Sequence, residues 1–476
     1  MISGPLREGN LDNDDSVPNQ VPGMIRGWIV LWLTTMTPSP GCGRTSTTTA
    51  AHHDDGGSSD AAGLVLPALS FGVTEVATFA YRERGGQVGF SRAREGEAKG
   101  DWPAVAAACR EALVADPDHL DAAYLLAVAL AKTGGTPAQI LEPLQKAVAG
   151  DYAKWGAASL EQPALQPFLA TPIGAAWRQR VEQDRQTFVA ALARSLIVTA
   201  HGDLFAYDGE AKRWYRLTRT TGAVIGAIAA AQRIAYVTRT KTAKHETKIA
   251  VGVVDLGEGR TRRAIEVATK SALTVGVSSR GFIVRAGKAA WNLVEAGKLE
   301  LRPLAAKAAF SARLDVNGHS VHLARETIDN VSADWDHSLA SAMRIGTSRR
   351  IVTVPSPGLI DRNTTTWSPD RTQLAFVAQL GETCAPGEPT AAAFVADAAT
   401  GNVQELERAV GGLALEWIAD RKLAIAGDHG VSLVAADGSG STPLGGADGL
   451  LAPRRKPRCS PPEPVGEDPV EEEDTR

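Results

Sequence analysis

The sequence predicts an α-helical domain followed by an all-β domain built from six similar units. Apolar residues recur at helical spacing from Val73 to about Ala193. Beyond Arg194, short runs rich in Val, Ile and Leu alternate with Gly, Asp and Asn turns, which is typical of strands. In the second part, Trp367 and Trp417 lie 50 residues apart, and each opens the same order of turns and strands.

The composition is that of a globular chain with room for two or three domains. Its 476 residues can bury cores of their own, and 44% hydrophobic with 22% charged residues is ordinary for such chains. The formal charge of −4 argues against a nucleic-acid-binding protein, which usually carries a basic face for phosphates. The four cysteines are too few for a disulfide scaffold and include no Cys-x-x-Cys pair.

The N-terminal part predicts an export signal. Residues 1–23 are polar and aperiodic, whereas Met24 opens a pattern of one arginine, an apolar run over 28–36 and then small residues. This order is typical of a secretory signal, and the apolar run is shorter than the ~20 residues that span a bilayer. We therefore expect a signal peptide over 24–41 and the true start at Met24, so that residues 1–23 are a polar leader that need not be translated.

Cys42 directly follows the predicted signal, and residues 42–63 are rich in Ser, Thr, Asp and Gly. This arrangement resembles that of bacterial lipoproteins. The resemblance implies a lipid on Cys42, a flexible linker after it, and a membrane-anchored place in the cell envelope, facing the periplasm or the cell surface. The chain departs from the lipoprotein pattern at Ser39, where that family usually has Leu. The alternatives are an ordinary secretory signal or an uncleaved anchor.

Residues 64–193 are predicted to form a short helical domain with two helix-turn-helix units. In the first unit, Gly100 and Trp102 mark the turn, Ala112 lies in the second helix, and Pro117 ends it. This unit resembles a tetratricopeptide repeat, and a second, less regular unit follows. Since about three units are needed for a stable stack, we expect flanking helices to cap it. The resemblance implies a groove for a peptide or partner; the alternative is a helical spacer.

Apolar strands recur through residues 194–452 about every 45 residues, which is the size of one propeller blade. These strands are Leu196–Thr199, Ile234–Val237, Phe282–Val284, Val321–Leu323, Leu374–Val377 and Leu423–Ile425. We therefore predict a six-bladed β-propeller, in which the pattern is least regular in the fourth blade, around Asp315 to Pro355. A seven-bladed ring and a two-sheet β-sandwich are the alternatives.

The last two blades carry the clearest signature, a Trp-x-x-Asp turn before an apolar strand. Its residues are Trp367, Pro369 and Asp370 in the fifth blade and Trp417 and Asp420 in the sixth. With the closing Val-Ala-Asp hairpin, the signature resembles the repeats of TolB-type six-bladed propellers, although Arg371 stands where that family usually has Gly. Proline presets φ, aspartate accepts backbone N–H bonds, and each tryptophan is expected to cover the strand below it.

We expect no catalytic residue, no cofactor and no bound metal. In prolyl oligopeptidase-like enzymes a hydrolase domain follows such a propeller, but the Gly-x-Ser-x-Gly elbow is absent and only a tail follows Leu450. The pair His319 and His322 would point to opposite faces of a strand, which suits chelation poorly.

Two further hypotheses concern the C-terminal part. Cys384 lies in a Pro- and Gly-rich insertion and Cys459 just past the last blade, so an oxidising compartment would allow a disulfide between them. Two free thiols are the alternative. Residues 453–476 join a basic cluster to an acidic run and are predicted to be a disordered tail.

The sequence alone does not identify a partner or a reaction. Both predicted modules are interaction platforms in the families that they resemble. We therefore expect a non-catalytic binding or scaffolding lipoprotein, whose envelope protein partner meets the propeller funnel or the helical groove. The alternative is a small-ligand or metal-binding sensor, or an enzyme, with its site in the funnel.

Overall fold

The computed structural model describes residues 64–455 with short internal gaps. The gaps are residues 81–82, 221, 242–245, 269–271, 297, 305–308, 318–319, 348–349 and 382–386. The predicted signal peptide, the lipidation site Cys42 and both members of the proposed Cys384–Cys459 pair therefore lie outside the described residues.

Seven α-helices precede the sheets in the described part of the chain. They are α1 (Gln87–Lys99), α2 (Trp102–Ala115), α3 (Leu120–Lys132), α4 (Pro137–Gly150), α5 (Tyr152–Glu161), α6 (Gln166–Leu169) and α7 (Pro172–Arg194), with 3-10 turns at Val76–Phe79 and Pro163–Leu165. Helices α1 and α2 form one hairpin, α3 and α4 form a second, and α2 packs against α3. None of the described helices is both long enough and apolar enough to cross a membrane.

The first hairpin follows from its capping residues. Gly100 ends α1 in the left-handed conformation, at φ 72°, where glycine has no steric penalty. The Asp101 carboxylate then caps α2 by accepting a bond from the Ala104 N–H, and Trp102 is the first helical residue. Ala112 is buried between the helices, and Pro117 follows the end of α2, where no helical N–H is needed.

Among the described residues, twenty-four strands in five sheets follow the helices. The first sheet contains β1 (Leu196–Ala200), β2 (Asp203–Asp208), β3 (Arg213–Arg216) and the last strand, β24 (Gly449–Leu450); the second contains β4 (Val224–Ala230), β5 (Arg233–Lys241), β6 (Thr247–Asp255) and β7 (Arg260–Val267).

The third and fourth sheets have six strands each. The third is built from β8 (Ala272–Ser278), β9 (Gly281–Ala286), β10 (Ala289–Ala296), β11 (Lys298–Pro303), β12 (Ala312–Asn317) and β13 (Ser320–Arg325); the fourth from β14 (Val331–Ser332), β15 (Leu339–Gly346), β16 (Ile351–Trp367), β17 (Gln373–Gln379), β18 (Ala391–Asp397) and β19 (Val403–Ala409). The fifth sheet has β20 (Ala414–Ala419), β21 (Lys422–Gly427), β22 (Gly430–Ala435) and β23 (Ser441–Leu444).

The fold is a β-propeller, as predicted, but it has five blades, so the prediction of six is wrong. The strands expected in a fourth blade do not pair with one another as a separate sheet. The β12–β13 hairpin joins the third sheet, because β12 pairs with β8 along its whole length. Strands β14 and β15 join the fourth sheet, because β15 pairs with β16. The missing blade is thus divided between its neighbours.

The ends of the propeller meet in the first sheet. Strand β24 pairs with β1 through only two residue pairs, Val198 with Leu450 and Thr199 with Gly449. At the opposite edge, Val73 bridges to Trp214 of β3. The first sheet is therefore held from both sides by segments distant from it in sequence.

The helical region packs directly against the first two sheets. Phe188 of α7 contacts Phe71 from the N-terminal segment and Tyr215 of β3, with ring centroids 5.7 and 5.6 Å apart. Phe71 also contacts Tyr152 of α5, at 5.1 Å. All four rings belong to one cluster with apolar residues of β1, β2 and β4–β6. Because edge-on aromatic pairs add to area burial, this cluster joins helices and sheets into one body.

Candidate functional site

The interior of the ring is occupied by the β12–β13 hairpin. Strand β12 lies on the inner side of β8 and also contacts β4, while β13 contacts β16. The approach to β4 is close at Gly226, where an added Cβ would lie 2.8 Å from Val321 Cγ1 and 3.1 Å from Leu314 Cδ2. Glycine is therefore required by space at this position, and not by its dihedral angles.

The C-terminal segment, defined here as Ala452–Arg455, lies beside this hairpin. Ala452 packs against two apolar clusters, one from the first and fifth sheets and one from the second and third. The Arg455 N–H donates to the Leu413 carbonyl at 3.3 Å. The prediction of a disordered tail from residue 453 is thus wrong for residues 453–455, which dock on the propeller; residues 456–476 lie outside the described part.

Arg455 binds a buried carboxylate. Its Nε donates to Asp361 Oδ2 at 2.8 Å, and its Nη2 donates to Ser338 Oγ at 3.3 Å. Asp361 is only 8% exposed, and its other oxygen accepts the Asn363 N–H at 2.9 Å. The carboxylate is thus held in place from within its own strand, where β16 shifts register just after Asp361. A charge-assisted pair with fixed geometry is among the stronger polar contacts in proteins.

Two further charged residues, Arg325 and Glu416, lie near this contact. Arg325, the last residue of β13, donates from its backbone N–H to Asn363 Oδ1 at 3.0 Å and from its guanidinium to the Thr365 carbonyl. Burial raises the pKa of Glu416, on β20, to about 7, and Arg325 opposes this rise. We call Ser338, Asp361, the Leu413 carbonyl, Arg325 and Glu416 together the interior site. The cavity left beside the docked segment is about 10 Å³, room for about one water molecule.

The Trp-x-x-Asp turns connect neighbouring sheets. Trp417 Nε1 donates to the Thr366 carbonyl at 3.0 Å, and the Asp370 N–H donates to Asp420 Oδ1 at 3.1 Å. Trp367 Nε1 donates in the same way to the Asp329 carbonyl, at 2.9 Å. Trp367 is also partly buried against the fourth sheet, and Trp417 against a cluster from the fourth and fifth sheets. The bonds of Trp417 and Asp420 thus join the fourth and fifth sheets, whereas the bond of Trp367 reaches the turn before β14 of its own sheet. All of these turn residues lie outside the interior site.

The turn before β17 is polar and strained. Burial alone would raise the pKa of Asp370, but bonds from the Thr372 N–H and from the Ser368 and Thr372 hydroxyls outweigh it and lower that pKa. Pro369 is exposed. Arg371 has φ 57°, a left-handed conformation that glycine adopts without a steric penalty.

A separate groove lies on the helical region, between α2 and α4 and above α3. Its volume is about 410 Å³. The lining has an apolar floor, namely Leu113, Pro117, Ala123, Leu126, Leu130 and Pro143, and a polar rim, namely Arg110, Gln139, Glu142 and Lys146. Nearby, Cys109 is fully buried, and burial raises the pKa of its thiol to about 12, so the thiol is unreactive.

Sequence reasoning did not find the interior site. Asp361 and Arg455 lie far apart in the chain, and neither belongs to a motif. In the part of the chain that the structure describes, no three His, Cys, Asp or Glu residues are placed to hold a metal ion. The one local signal was the pair Arg454-Arg455, separated from the apolar Leu450–Ala452 only by Pro453.

No protein-family model and no curated protein matches the chain. Among solved structures, it is similar to TolB from Acinetobacter baumannii, at 13% identity over 59% of this chain and 72% of that chain, with a TM-score of 0.31. It is similar to puromycin hydrolase at 13% identity, over 49% and 41% of the two chains (TM-score 0.24). For the β-propeller domain of the Trilobed protease from Pyrococcus furiosus the identity is 10%, over 47% and 70% (TM-score 0.20). At these values the likeness carries no argument about activity, and the propeller is established by the sheets themselves.

Proposed function

We propose that this chain is a non-catalytic protein-binding or scaffolding lipoprotein of the bacterial cell envelope. In this proposal, a segment of an envelope protein binds in the groove of the helical region. The observation that carries it is the groove itself, which is open, about 410 Å³ in volume, and apolar at its floor. Lipid on Cys42 would hold the protein at the membrane.

The composition of the groove fits a peptide segment. Leu113 is half-buried and Pro117 exposed, so apolar surface is available to a partner without rearrangement. The rim carries charges of both signs, from Arg110, Glu142 and Lys146, and Lys146 already lies 3.7 Å from the exposed Asp118. An amphipathic helix that places two or three apolar side chains on the floor and polar groups at the rim would match this lining.

The test uses a photo-reactive residue in the full-length protein. Placed at Gln139 on the groove rim, it should cross-link one envelope protein, and the substitution Leu113→Asp should abolish that product because it charges the floor. The matched control carries the photo-reactive residue at Glu95, which is exposed on α1 outside the groove. Identical products from both positions, or none from position 139, would contradict groove binding.

The anchor is tested separately. Radiolabelled palmitate should enter the wild-type protein and not the Cys42→Ser variant. No label in the wild type would remove the membrane part of the proposal and leave the groove test unaffected.

A second candidate function is small-ligand binding or catalysis at the interior site. It is favoured by Glu416, whose pKa of about 7 is suited to general acid–base chemistry and which lies beside Arg325. Against it stands the occupied site, since the docked segment leaves room for about one water molecule. Partner binding is therefore the function that we place first.

A further inference from the structure

The C-terminal segment is held as a bound peptide would be. Its backbone makes one bridge to the sheets, from the Arg455 N–H to the Leu413 carbonyl. Its side chains supply most of the other polar contacts, and residues 452–455 all keep part of their surface accessible. A segment of this kind differs from a strand, whose ladder of backbone bonds resists removal.

We propose that the interior site is a binding site for an extended protein segment that carries arginine, and that Ala452–Arg455 occupies it in cis. A partner that presents such a segment would displace the chain's own residues. The inference does not depend on the groove, and it assigns the ring interior a second, distinct partner surface.

The polar groups of the site select arginine. Asp361 and Ser338 receive two different nitrogens of one guanidinium, at 2.8 and 3.3 Å. The rigid fork of arginine can satisfy both acceptors at once, whereas the compact ammonium of lysine is a point charge that fits this pattern poorly. Because Asp361 is already held by the Asn363 N–H, little ordering is needed when the cation arrives.

A second arginine, Arg454, contacts polar groups at the edge of the site. Arg454 Nη1 donates to the Gly427 carbonyl at 2.6 Å and lies 3.8 Å from Asp428 Oδ1. Asp428 is itself fixed, since it accepts the Val410 and Gly411 N–H groups at 2.7 and 2.9 Å. The site therefore fits two consecutive arginines in an extended segment, the first at the rim and the second inside.

Tethering explains why the site is filled. A segment on a short linker has an effective concentration on the order of millimolar, so a free peptide of equal intrinsic affinity competes poorly. Removing the tethered arginines should therefore raise the affinity for a free peptide, even though it removes contacts from the folded chain.

The experiment measures binding of a fluorescent peptide of residues 451–458 to the full-length protein. The double variant R454A/R455A should bind the peptide at least tenfold more tightly than the wild-type chain. A peptide with alanine in place of Arg454 and Arg455 should not bind, and one with lysine at these two positions should bind severalfold more weakly; Arg458 is kept in every peptide. Thermal melts establish that each protein variant is folded.

A further substitution locates the binding. In the R454A/R455A background, Ser338→Ala should weaken binding of the peptide severalfold. Ser341→Ala, at an exposed serine of β15 three residues further along the chain, should not. Equal binding to wild type and double variant, absence of binding to both, or indifference to Ser338→Ala would each overturn the proposal. None of these outcomes bears on the cross-link from Gln139.

Discussion

The fifth sheet and the divided fourth unit differ in how they are tied to their neighbours. The fifth sheet is a separate four-stranded blade, fastened to the fourth by the Trp417 indole and by Asp420. The stretch 312–346 has no Trp-Ser-Pro-Asp turn in its sequence, and its strands pair with the sheets on either side. In these two regions, the unit with turn-borne hydrogen bonds to its neighbour is a separate blade, whereas the strands without such bonds pair with the adjacent sheets.

The division of the fourth unit also builds the interior site. Because β12 pairs with β8, the end of β13 brings Arg325 beside Glu416 and Asn363. The site thus combines residues of the regular fifth sheet with residues of the divided unit. Four substitutions probe that contrast, in order of expected effect.

The largest effect is expected from Glu416→Gln, which tests how much the burial of an ionised carboxylate on β20 of the fifth sheet destabilises the fold. Burial raises the folded-state pKa from 4.5 to about 7, so between these values the folded state holds a proton that the unfolded state has lost. Wild-type stability therefore falls as pH rises through this window, and the loss is complete above the folded pKa. At 1.36 kcal/mol per pH unit, the variant should be more stable by up to about 3 kcal/mol at pH 8 and nearly unchanged at pH 4.

Urea denaturation of both proteins at pH 4, 6 and 8 measures this difference. A difference that does not change with pH would show that Glu416 titrates normally.

Gly226→Ala tests how closely the β12–β13 hairpin, which belongs to the divided unit, packs against β4. The new Cβ would lie 2.8 Å from Val321 and 3.1 Å from Leu314, so β4 or the β12–β13 hairpin must move. We expect a loss of about 2 kcal/mol in the free energy of unfolding, which is typical of overpacking. Gly440→Ala is the control, because a Cβ there meets nothing within 4 Å. Equal effects of the two substitutions would mean that the hairpin does not lie against β4.

Trp417→Phe tests the hydrogen bond that joins the fifth sheet to the fourth. The ring's apolar contacts largely remain, but the bond from Nε1 to the Thr366 carbonyl is lost. We expect a loss of about 1 kcal/mol. Trp367→Phe should cost a similar amount, because that indole makes the corresponding bond to Asp329. The midpoints of urea denaturation would measure both losses. If neither substitution changed the stability, the indoles would contribute through apolar packing and not through their hydrogen bonds.

The smallest effect is expected from Arg371→Gly. Glycine relieves the left-handed conformation at φ 57°, worth about 1 kcal/mol, and loses only an exposed ion pair with Asp329 at 3.2 Å. The variant should therefore be slightly more stable. Arg421→Gly, at the corresponding position of the next sheet, should be slightly less stable, since Arg421 does not have a positive φ. Shifts of the same sign in thermal melts would contradict this account.

The sequence allowed the strands to be predicted better than their pairing. The six apolar runs correspond to strands β1, β5, β9, β13, β17 and β21 of the structure. A run of alternating residues is a local signal, so β13 could be recognised as a strand. That its partner β12 would pair with β8 could not, because this choice depends on space beside Gly226, a distant residue. The order of a helical region and then a propeller was confirmed, and the number of blades was not.

The interior site could not be predicted from the sequence for the same reason, because it depends on residues that are distant in the chain. Asp361 reads in sequence as an ordinary strand residue, and Arg455 as part of a charged tail. Their contact exists only once the ring brings β16 to the C-terminal segment. The turn residues Trp367 and Asp370 gave the clearest sequence signal, yet in the structure Asp370 joins two sheets, Trp367 holds the turn before β14, and neither lines a candidate site.

The two-pair junction between β1 and β24 bears on how the molecule is made. During synthesis β1 leaves the ribosome early and exposes an unpaired edge until Gly449 and Leu450 are available. Closure of a long loop is slow, so a partly made chain holds an open sheet for most of its elongation. The segment that seals the ring is followed at once by the arginines that fill its interior. Closure of the propeller ring and occupation of its interior therefore occur at nearly the same time. A nascent chain that stalls before residue 449 would keep an unpaired strand edge accessible to proteases and chaperones.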